Sequence, residues 1–190
     1  IGVDRGDSLR LWREYFTSAT ICGIDIKQKD FNIDGVDILC GDQTDYNFLK
    51  SIVEKYKNFD IIIDDGSHVS KHIIKSIEFL FNYLKNNGLY VIEDLQTSYM
   101  PRFGGSRYNL TKSKTSMNYL KSLADSINYE HKDKPFFKRK KFDGTIKYVH
   151  FYQNIAIIKK GDSTKYFYND EKEIRGWLKN LKKLISSFYK

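Results

Sequence analysis

The sequence has little sulfur chemistry to offer: two cysteines in 190 residues. Cys22 and Cys40 fall in strand-like segments and lack the close paired spacing of a zinc site. They read as buried, reduced thiols, which suits the cytoplasm; a disulfide between neighbouring strands is the alternative. Long apolar runs are missing too. None approaches the roughly 18–20 residues that a bilayer-spanning helix needs, so no membrane span is expected. The chain does not open on the basic, apolar, small-residue pattern of a signal peptide. It begins on Ile1-Gly2-Val3, which reads as the end of a strand, and we expect the native N-terminus to lie upstream. There is no internal repeat, no low-complexity tract and no second domain in view. The length suits one compact domain with a substantial core.

Charge is plentiful and unbalanced, with 32 Lys and Arg against 24 Asp and Glu, a net +8. Such an excess suits an acidic partner, whether nucleic acid, a phosphorylated sugar or a membrane surface. Much of it sits in Lys138-Arg139-Lys140-Lys141 and near the C-terminus. No RNA-binding aromatic signature or helix-turn-helix accompanies it. The reading is a solvated basic face, with no nucleic-acid partner expected.

Apolar spacing gives the organisation. Ser8 to Phe16 reads as a helix, with Leu9, Trp12 and Phe16 at helical intervals. Ala19 to Ile26 and Val36 to Leu39 read as strands, and Tyr46 to Tyr56 as a helix. Phe59 to Asp64 carries three consecutive isoleucines, as a strand buried on both faces does. Val69 to Lys85 reads as a helix through Val69, Ile73, Ile77, Leu80 and Leu84, with Ser67 as N-cap. Asn87-Gly88 ends it, and Leu89 to Glu93 is a strand. Thr97 to Lys112 reads as a long loop of the kind that forms lids, Ser113 to Asn128 as a helix, and Lys132 to Gly144 as irregular. Ile146 to Tyr152 and Ile155 to Lys159 read as a hairpin, and Glu171 to Phe188 as an amphipathic helix. The alternation predicts an α/β, Rossmann-like, mostly parallel sheet with helices on both faces and an antiparallel C-terminal hairpin. Residues 1–160 form the core and 161–190 the terminal helix.

In such sheets ligands bind beyond the carboxyl ends of the strands. Gly2-Val-Asp-Arg-Gly6 follows the first strand and opens a helix, where backbone can approach an anionic ligand; it is not the full GxGxxG fingerprint. Asp25, ending the second strand, can accept both hydroxyls of a ribose, or else serve as a cap or a solvated charge. Asp42 can accept from an adenine amino group with Gln43 beside it; an ordinary Gly-Asp turn is the plainer reading. Asp64-Asp65-Gly66-Ser67-His68 and Glu93-Asp94 end the next two strands. Neighbouring strands lie about 4.8 Å apart, so several carboxylates converge, at a cost unless a cation joins them. Asp65, Glu93 and Asp94 offer hard oxygens, suited to Mg²⁺ or Ca²⁺. Glu93 and Asp94 can share one ion only if the chain turns there. His68 can act as a general base near neutral pH. His72, one helical turn on, reads as an ordinary exposed residue.

Taken in order, Ile1-Gly2-Val3, Gly6-Asp7-Ser8-Leu9, Gly23-Ile24-Asp25, Gly41-Asp42-Gln43, Ile63-Asp64-Asp65-Gly66-Ser67-His68 and Gly88 to Tyr99 resemble the macrocin and mycinamicin sugar O-methyltransferases, a family of class I S-adenosylmethionine (SAM) methyltransferases. The cephalosporin hydroxylase-like proteins are related. His150-Phe151-Tyr152-Gln153-Asn154 fits the same group. The resemblance covers roughly residues 1–160. It implies metal ligands at Asp65, Glu93 and Asp94, a catalytic base at His68, and cofactor positions at Gly2, Gly6, Ser8, Asp25, Asp42, Gln43 and Asp64. The carboxylate that the family places just before the first glycine would precede Ile1. An N-terminal segment serving assembly or the substrate site is also a family feature, and a homo-oligomer would fit it.

The resulting expectation is a SAM- and Mg²⁺-dependent O-methyltransferase acting on a sugar, nucleotide-sugar or glycan hydroxyl. Gln96, Tyr99, Arg102, Arg107 and Tyr108 are the candidate acceptor contacts, the arginines suiting a phosphorylated acceptor. Rival readings are an oxidative enzyme, although the two histidines of a non-haem iron triad are missing, a non-catalytic SAM-binding protein, and an RNA methyltransferase favoured by charge alone.

Overall fold

The computed structural model describes residues 1–111, 114–131 and 138–163. Its elements run α1 (Asp7–Tyr15), β1 (Ile21–Asp25), β2 (Val36–Cys40), α2 (Tyr46–Tyr56), β3 (Phe59–Asp64), α3 (Ser70–Leu80), β4 (Leu84–Ile92), α4 (Ser116–Ser122), α5 (Ala124–Ile127), β5 (Ile146–Tyr152) and β6 (Ile155–Lys160). β1 pairs parallel with β2, and β3 parallel with β4. β6 then runs antiparallel to β4, and β5 antiparallel to β6. This is the anticipated parallel sheet with an antiparallel terminal hairpin.

The two strand sets meet through the first residues of the chain. Ile1 N donates to Ile63 O at 2.7 Å and Asp65 N donates to Ile1 O at 3.0 Å, while Gly2 N donates to Ile24 O at 2.8 Å. Ile1 and Gly2 therefore sit between β1 and β3 as a strand end would, although they form no regular strand. Farther from that join the seam is open, and Ile61 is 42% exposed. The expectation of full burial on both faces fails there for this reason.

The core lies between α3, α2, α4 and the sheet. Ile73, Ile77 and Leu80 of α3 pack with Tyr90 and Ile92 of β4 and Ile158 of β6, all essentially buried. Each such aliphatic side chain contributes about 1.5–3 kcal/mol by leaving water. The predicted helix Val69 to Lys85 is shorter than its spacing suggests. α3 stops at Leu80, a 3-10 turn covers Phe81 to Tyr83, and Leu84 already begins β4. Lys160 explains the stop: its ammonium donates to the carbonyls of Phe81, Asn82 and Leu84 at 3.0, 2.9 and 2.8 Å. Carbonyls that a helix would satisfy internally are taken by this cation. Lys160→Met should lower unfolding free energy by about 1–3 kcal/mol, read by urea denaturation, because charge-assisted bonds are lost and carbonyls are orphaned.

Other expectations shift locally. Ser67 is not the N-cap of α3; Val69 is, and Ser67 Oγ accepts from the Val69 amide at 3.4 Å. The predicted helix Ser113 to Asn128 divides into α4 and α5 around Leu123. The predicted loop after Asp94 contains 3-10 turns at Leu95–Tyr99 and Pro101–Phe103. Cys22 is partly buried, but Cys40 is exposed at the end of an outer strand. Both are free, and their places in the β1–β2 register, opposite Asp37 and Asp25, keep them apart. The Glu171 to Phe188 helix, and with it most of the 161–190 segment, lies outside the described residues. Among the described residues no helix is long and apolar enough to cross a membrane.

Candidate functional site

The carboxyl ends of the strands build two adjoining features: a cleft and an acidic rim. The cleft is lined by Ile1, Gly2, Ile24, Asp25, Asp42 and Gln43 on one side, and by Gly66, Ser67 and His72 on the other. Gly2 has φ +84°, and a Cβ there would lie 2.1 Å from the Asp65 carbonyl oxygen. Only glycine allows the first loop to press so closely on the β3 end.

Asp25 holds that loop. Its carboxylate accepts from the amides of Val3 and Asp4 at 2.9 and 3.2 Å, from Lys27 N at 2.8 Å, and pairs with Lys29 at 3.0 Å. Burial would raise its pKa, but the amides of Lys27, Val3 and Asp4 and the Lys29 ammonium bring it down to about 2. A carboxyl depressed below its unfolded value of about 3.9 stabilises the fold above that value. It loses the contribution as pH falls through about 2. Asp25→Asn should therefore be less stable than the parent at pH 6, with the gap closing between about pH 4 and pH 2 in acid-unfolding curves.

Gln43 is 7% exposed, and its amide is engaged within the protein. Its Nε2 donates to Asp64 at 3.1 Å and to Ser76 Oγ at 2.9 Å, and its Oε1 accepts from Ser67 N at 2.8 Å. It braces the cleft wall. Asp64, 1% exposed, sits behind it, with burial pushing its carboxyl upward. Gly6 and Ser8 stand apart from the cleft. Gly6, at φ +82°, packs against Phe31 at the start of α1, and Ser8 is exposed on that helix. Asp42 lines the cleft, its Oδ1 accepting from Thr44 N at 2.7 Å.

On the rim, carboxylate oxygens of Asp65 and Asp94 and an imidazole nitrogen of His68 lie within 4.8 Å of one another. His68 Nε2 is 3.6 Å from Asp94 Oδ2. The turn that this requires is present: Asp94 has φ +53° and His68 φ +56°. Left-handed backbone at non-glycine residues is uncommon, and its retention at these strand ends stores strain where side chains must be aimed. Glu93 is outside that close group. It nonetheless faces the same rim: burial, then the charges of Asp65 and Asp94, push its carboxyl upward. Burial likewise raises Asp65, with Asp94 adding to the rise and His68 opposing it. Like charges gathered this closely at a partly exposed rim are what a hard divalent cation relieves. Gln96 Nε2 donates to Asp94 Oδ1 at 3.1 Å, and its buried Oε1 has no hydrogen-bond partner among the described residues.

Two residues that the sequence did not single out for the site belong to it. His72, expected to be an ordinary exposed residue, is partly buried and lines the cleft, with Nδ1 2.9 Å from Ser67 Oγ. Its spacing from His68 was the available signal. Because it faces the cleft, the rim has a single histidine among the described residues, which disfavours a two-histidine iron site. Phe103 brings its ring edge-on to His68, centroids 6.4 Å apart, beneath the Arg102 guanidinium at 4.8 Å. No sequence pattern announces it. Tyr99, Arg102, Arg107 and Tyr108 are exposed on this segment, Tyr108 almost wholly.

The parallel sheet with its antiparallel final hairpin is the Rossmann-like fold of the class I methyltransferases. The chain is similar to the mycinamicin and macrocin sugar O-methyltransferases. It is 40% identical over 178 residues to mycinamicin VI 2''-O-methyltransferase of Micromonospora griseorubida, covering 91% of this chain and 42% of that protein. It is 37% identical over 175 residues to demethylmacrocin O-methyltransferase of Streptomyces fradiae, covering 91% and 43%. A solved structure of MycE methyltransferase in complex with Mg, SAH and mycinamycin VI superposes with a TM-score of 0.79 at 38% identity, over 84% of this chain and 41% of that one. The chain thus spans about two-fifths of these relatives. No protein-family model matches it.

Proposed function

We propose that the protein is a SAM-dependent, Mg²⁺-assisted O-methyltransferase acting on a hydroxyl of a sugar or glycan-type acceptor. The observation that carries this is the adjacency of the cleft to the Asp65–His68–Asp94 cluster, joined by Gly66 and Ser67, in a chain 37–40% identical to sugar O-methyltransferases. Gly2, Asp25 and Asp42 would receive the cofactor, with Gln43 and Asp64 behind them and Gly6 and Ser8 setting the helix that follows. Asp65, Glu93 and Asp94 would hold the cation; their oxygens and crowded charge fit a hard divalent ion. SAM would supply an electrophilic methyl group, and Mg²⁺ the Lewis acidity that lowers a hydroxyl pKa.

The chain's own groups do the rest. His68 accepts the proton of the acceptor hydroxyl. Gln96 fixes one Asp94 oxygen through its Nε2. Phe103 limits the tilt of the His68 ring. Tyr99 and Tyr108 present faces to a pyranose, and Arg102 and Arg107 suit a phosphorylated acceptor. The free cysteines support a cytoplasmic setting.

The test is transfer of labelled methyl from SAM to a panel of glycosides and nucleotide sugars. Label should appear in the sugar, vanish in excess EDTA and return with added Mg²⁺. Full transfer in EDTA, or oxygen-dependent hydroxylation without methyl transfer, would sink this reading.

A further inference from the structure

His72 belongs to the cleft and not to the rim, and its hydrogen bonding specifies what it can do there. Ser67 Oγ accepts from the Val69 amide at 3.4 Å and lies 2.9 Å from His72 Nδ1. Ser67 Oγ, while accepting from Val69, can either accept from a protonated Nδ1 or donate to a bare one; in the second arrangement the ring hydrogen sits on Nε2. A protonated ring would carry that hydrogen as well. In that arrangement, as in the protonated ring, Nε2 is a donor. Ser67 is itself anchored, because its amide donates to Gln43 Oε1, and Gln43 is tied to Asp64 and Ser76. The imidazole is thus tied through Ser67 to the buried Gln43, Asp64 and Ser76.

Asp42 lines the same cleft from the end of β2. It lies within electrostatic reach of His72, each group affecting the other's ionisation. Its carboxylate is acceptor-only, with capacity beyond the Thr44 amide. The cleft is therefore lined by an acceptor at Asp42 and, with the serine proton on Nδ1, a donor at His72. Adenine offers the complement: an exocyclic amino donor beside a ring-nitrogen acceptor. Hypoxanthine replaces that amino donor with a carbonyl acceptor, which an Asp42 carboxylate cannot pair.

We propose that His72 is a cofactor-binding residue that, paired with Asp42, reads the base of the cofactor, Nε2–H donating to an adenine ring nitrogen while Asp42 accepts from the amino group. This rests on the cofactor reading above, and names a residue and a specificity that the family likeness does not.

Calorimetric titration tests it with S-adenosylhomocysteine, its hypoxanthine counterpart S-inosylhomocysteine, and analogues in which N1 or N7 of adenine is replaced by carbon. The parent protein should prefer the adenine ligand by about 100-fold, one charged hydrogen bond and one unpaired carboxylate being at stake. His72→Ala should weaken it about 10-fold and leave Mg²⁺ affinity unchanged, and His72→Gln, which keeps an N–H donor, should recover part of the loss. One carbon-for-nitrogen analogue should cost the parent the same factor and cost His72→Ala nothing further, the signature of a coupled pair. Equal binding of S-adenosylhomocysteine by parent and His72→Ala overturns the assignment, as does a fully additive loss with both analogues. Loss in His72→Ala that His72→Gln and the analogues fail to track marks a packing role only, and also overturns it. No binding of S-adenosylhomocysteine by the parent instead overturns the cofactor reading itself.

Discussion

Replacing Asp65 by alanine should lower methyl transfer on the order of 10³-fold and remove the protein's response to Mg²⁺. The rate estimate follows from the role: a bound cation supplies several kcal/mol of charge stabilisation at the reacting oxygen, and each 1.36 kcal/mol is tenfold. A binding measurement separates this from a folding defect. In the parent, Mg²⁺ at about 100 times its dissociation constant should raise stability by about 2.7 kcal/mol; in Asp65→Ala it should raise it hardly at all. The metal-free protein should move the other way. Burial raises the Asp65 carboxyl pKa in the fold, with Asp94 contributing. A carboxyl whose folded pKa lies above its unfolded value destabilises the fold as pH rises through that interval. Removing the carboxyl should therefore leave the apo protein as stable as before or slightly more so at neutral pH. Unchanged Mg²⁺ stabilisation and full turnover in this variant would reduce the rim to an ordinary solvated acidic edge.

Much of this architecture was legible because strands and helices here obey simple periods. The isoleucine run of β3 and the apolar β4 were visible, and the rule that ligands meet the carboxyl ends of strands picked out Gly2, Asp25, Asp42, Asp65 and Asp94. What escaped depended on partners distant in sequence. Leu84 extends the helical spacing of Leu80 by four, so nothing local says that α3 ends earlier; the answer comes from Lys160, at the end of β6. Gln43 looks like a cofactor contact by position. Its amide is nonetheless absorbed by Asp64 and Ser76, 21 and 33 residues away. Gly6 satisfies a glycine-loop spacing, yet its left-handed backbone serves Phe31 and the start of α1. The Glu93-Asp94 pair posed a question of period: adjacent strand residues face opposite ways. The left-handed turn at Asp94 resolves it by bringing Asp94 to His68 while Glu93 holds a separate position on the rim. Hydrophobic period reports a residue's face, and reports nothing of where the chain bends.

His68 is the second place where a large effect is expected, and the choice of substitution matters. Its backbone is left-handed, which alanine tolerates poorly and asparagine well. His68→Asn therefore removes the imidazole while keeping the turn that aims Asp65 and Asp94. A general base contributes about 10²–10⁴ in rate, so with His68 in the proposed role turnover should fall by that factor. Cofactor affinity should hold, because His68 is not among the residues lining the cleft. Cation affinity decides between two roles that the geometry allows. A ring nitrogen lies within 4.8 Å of both carboxylates, so His68 is positioned either to take a proton beside the cation or to ligate it. Removing a base leaves Mg²⁺ binding nearly unchanged; removing a ligand weakens it by a large factor along with the rate. The base assignment is the stronger because Mg²⁺ is bound chiefly through oxygen and keeps water, and the carboxylates of Asp65, Glu93 and Asp94 already line this rim. A His68→Asn protein that binds Mg²⁺ as the parent does but turns over at least 100-fold more slowly is the expected result. One that turns over normally would move proton removal to bulk water or to the acceptor itself.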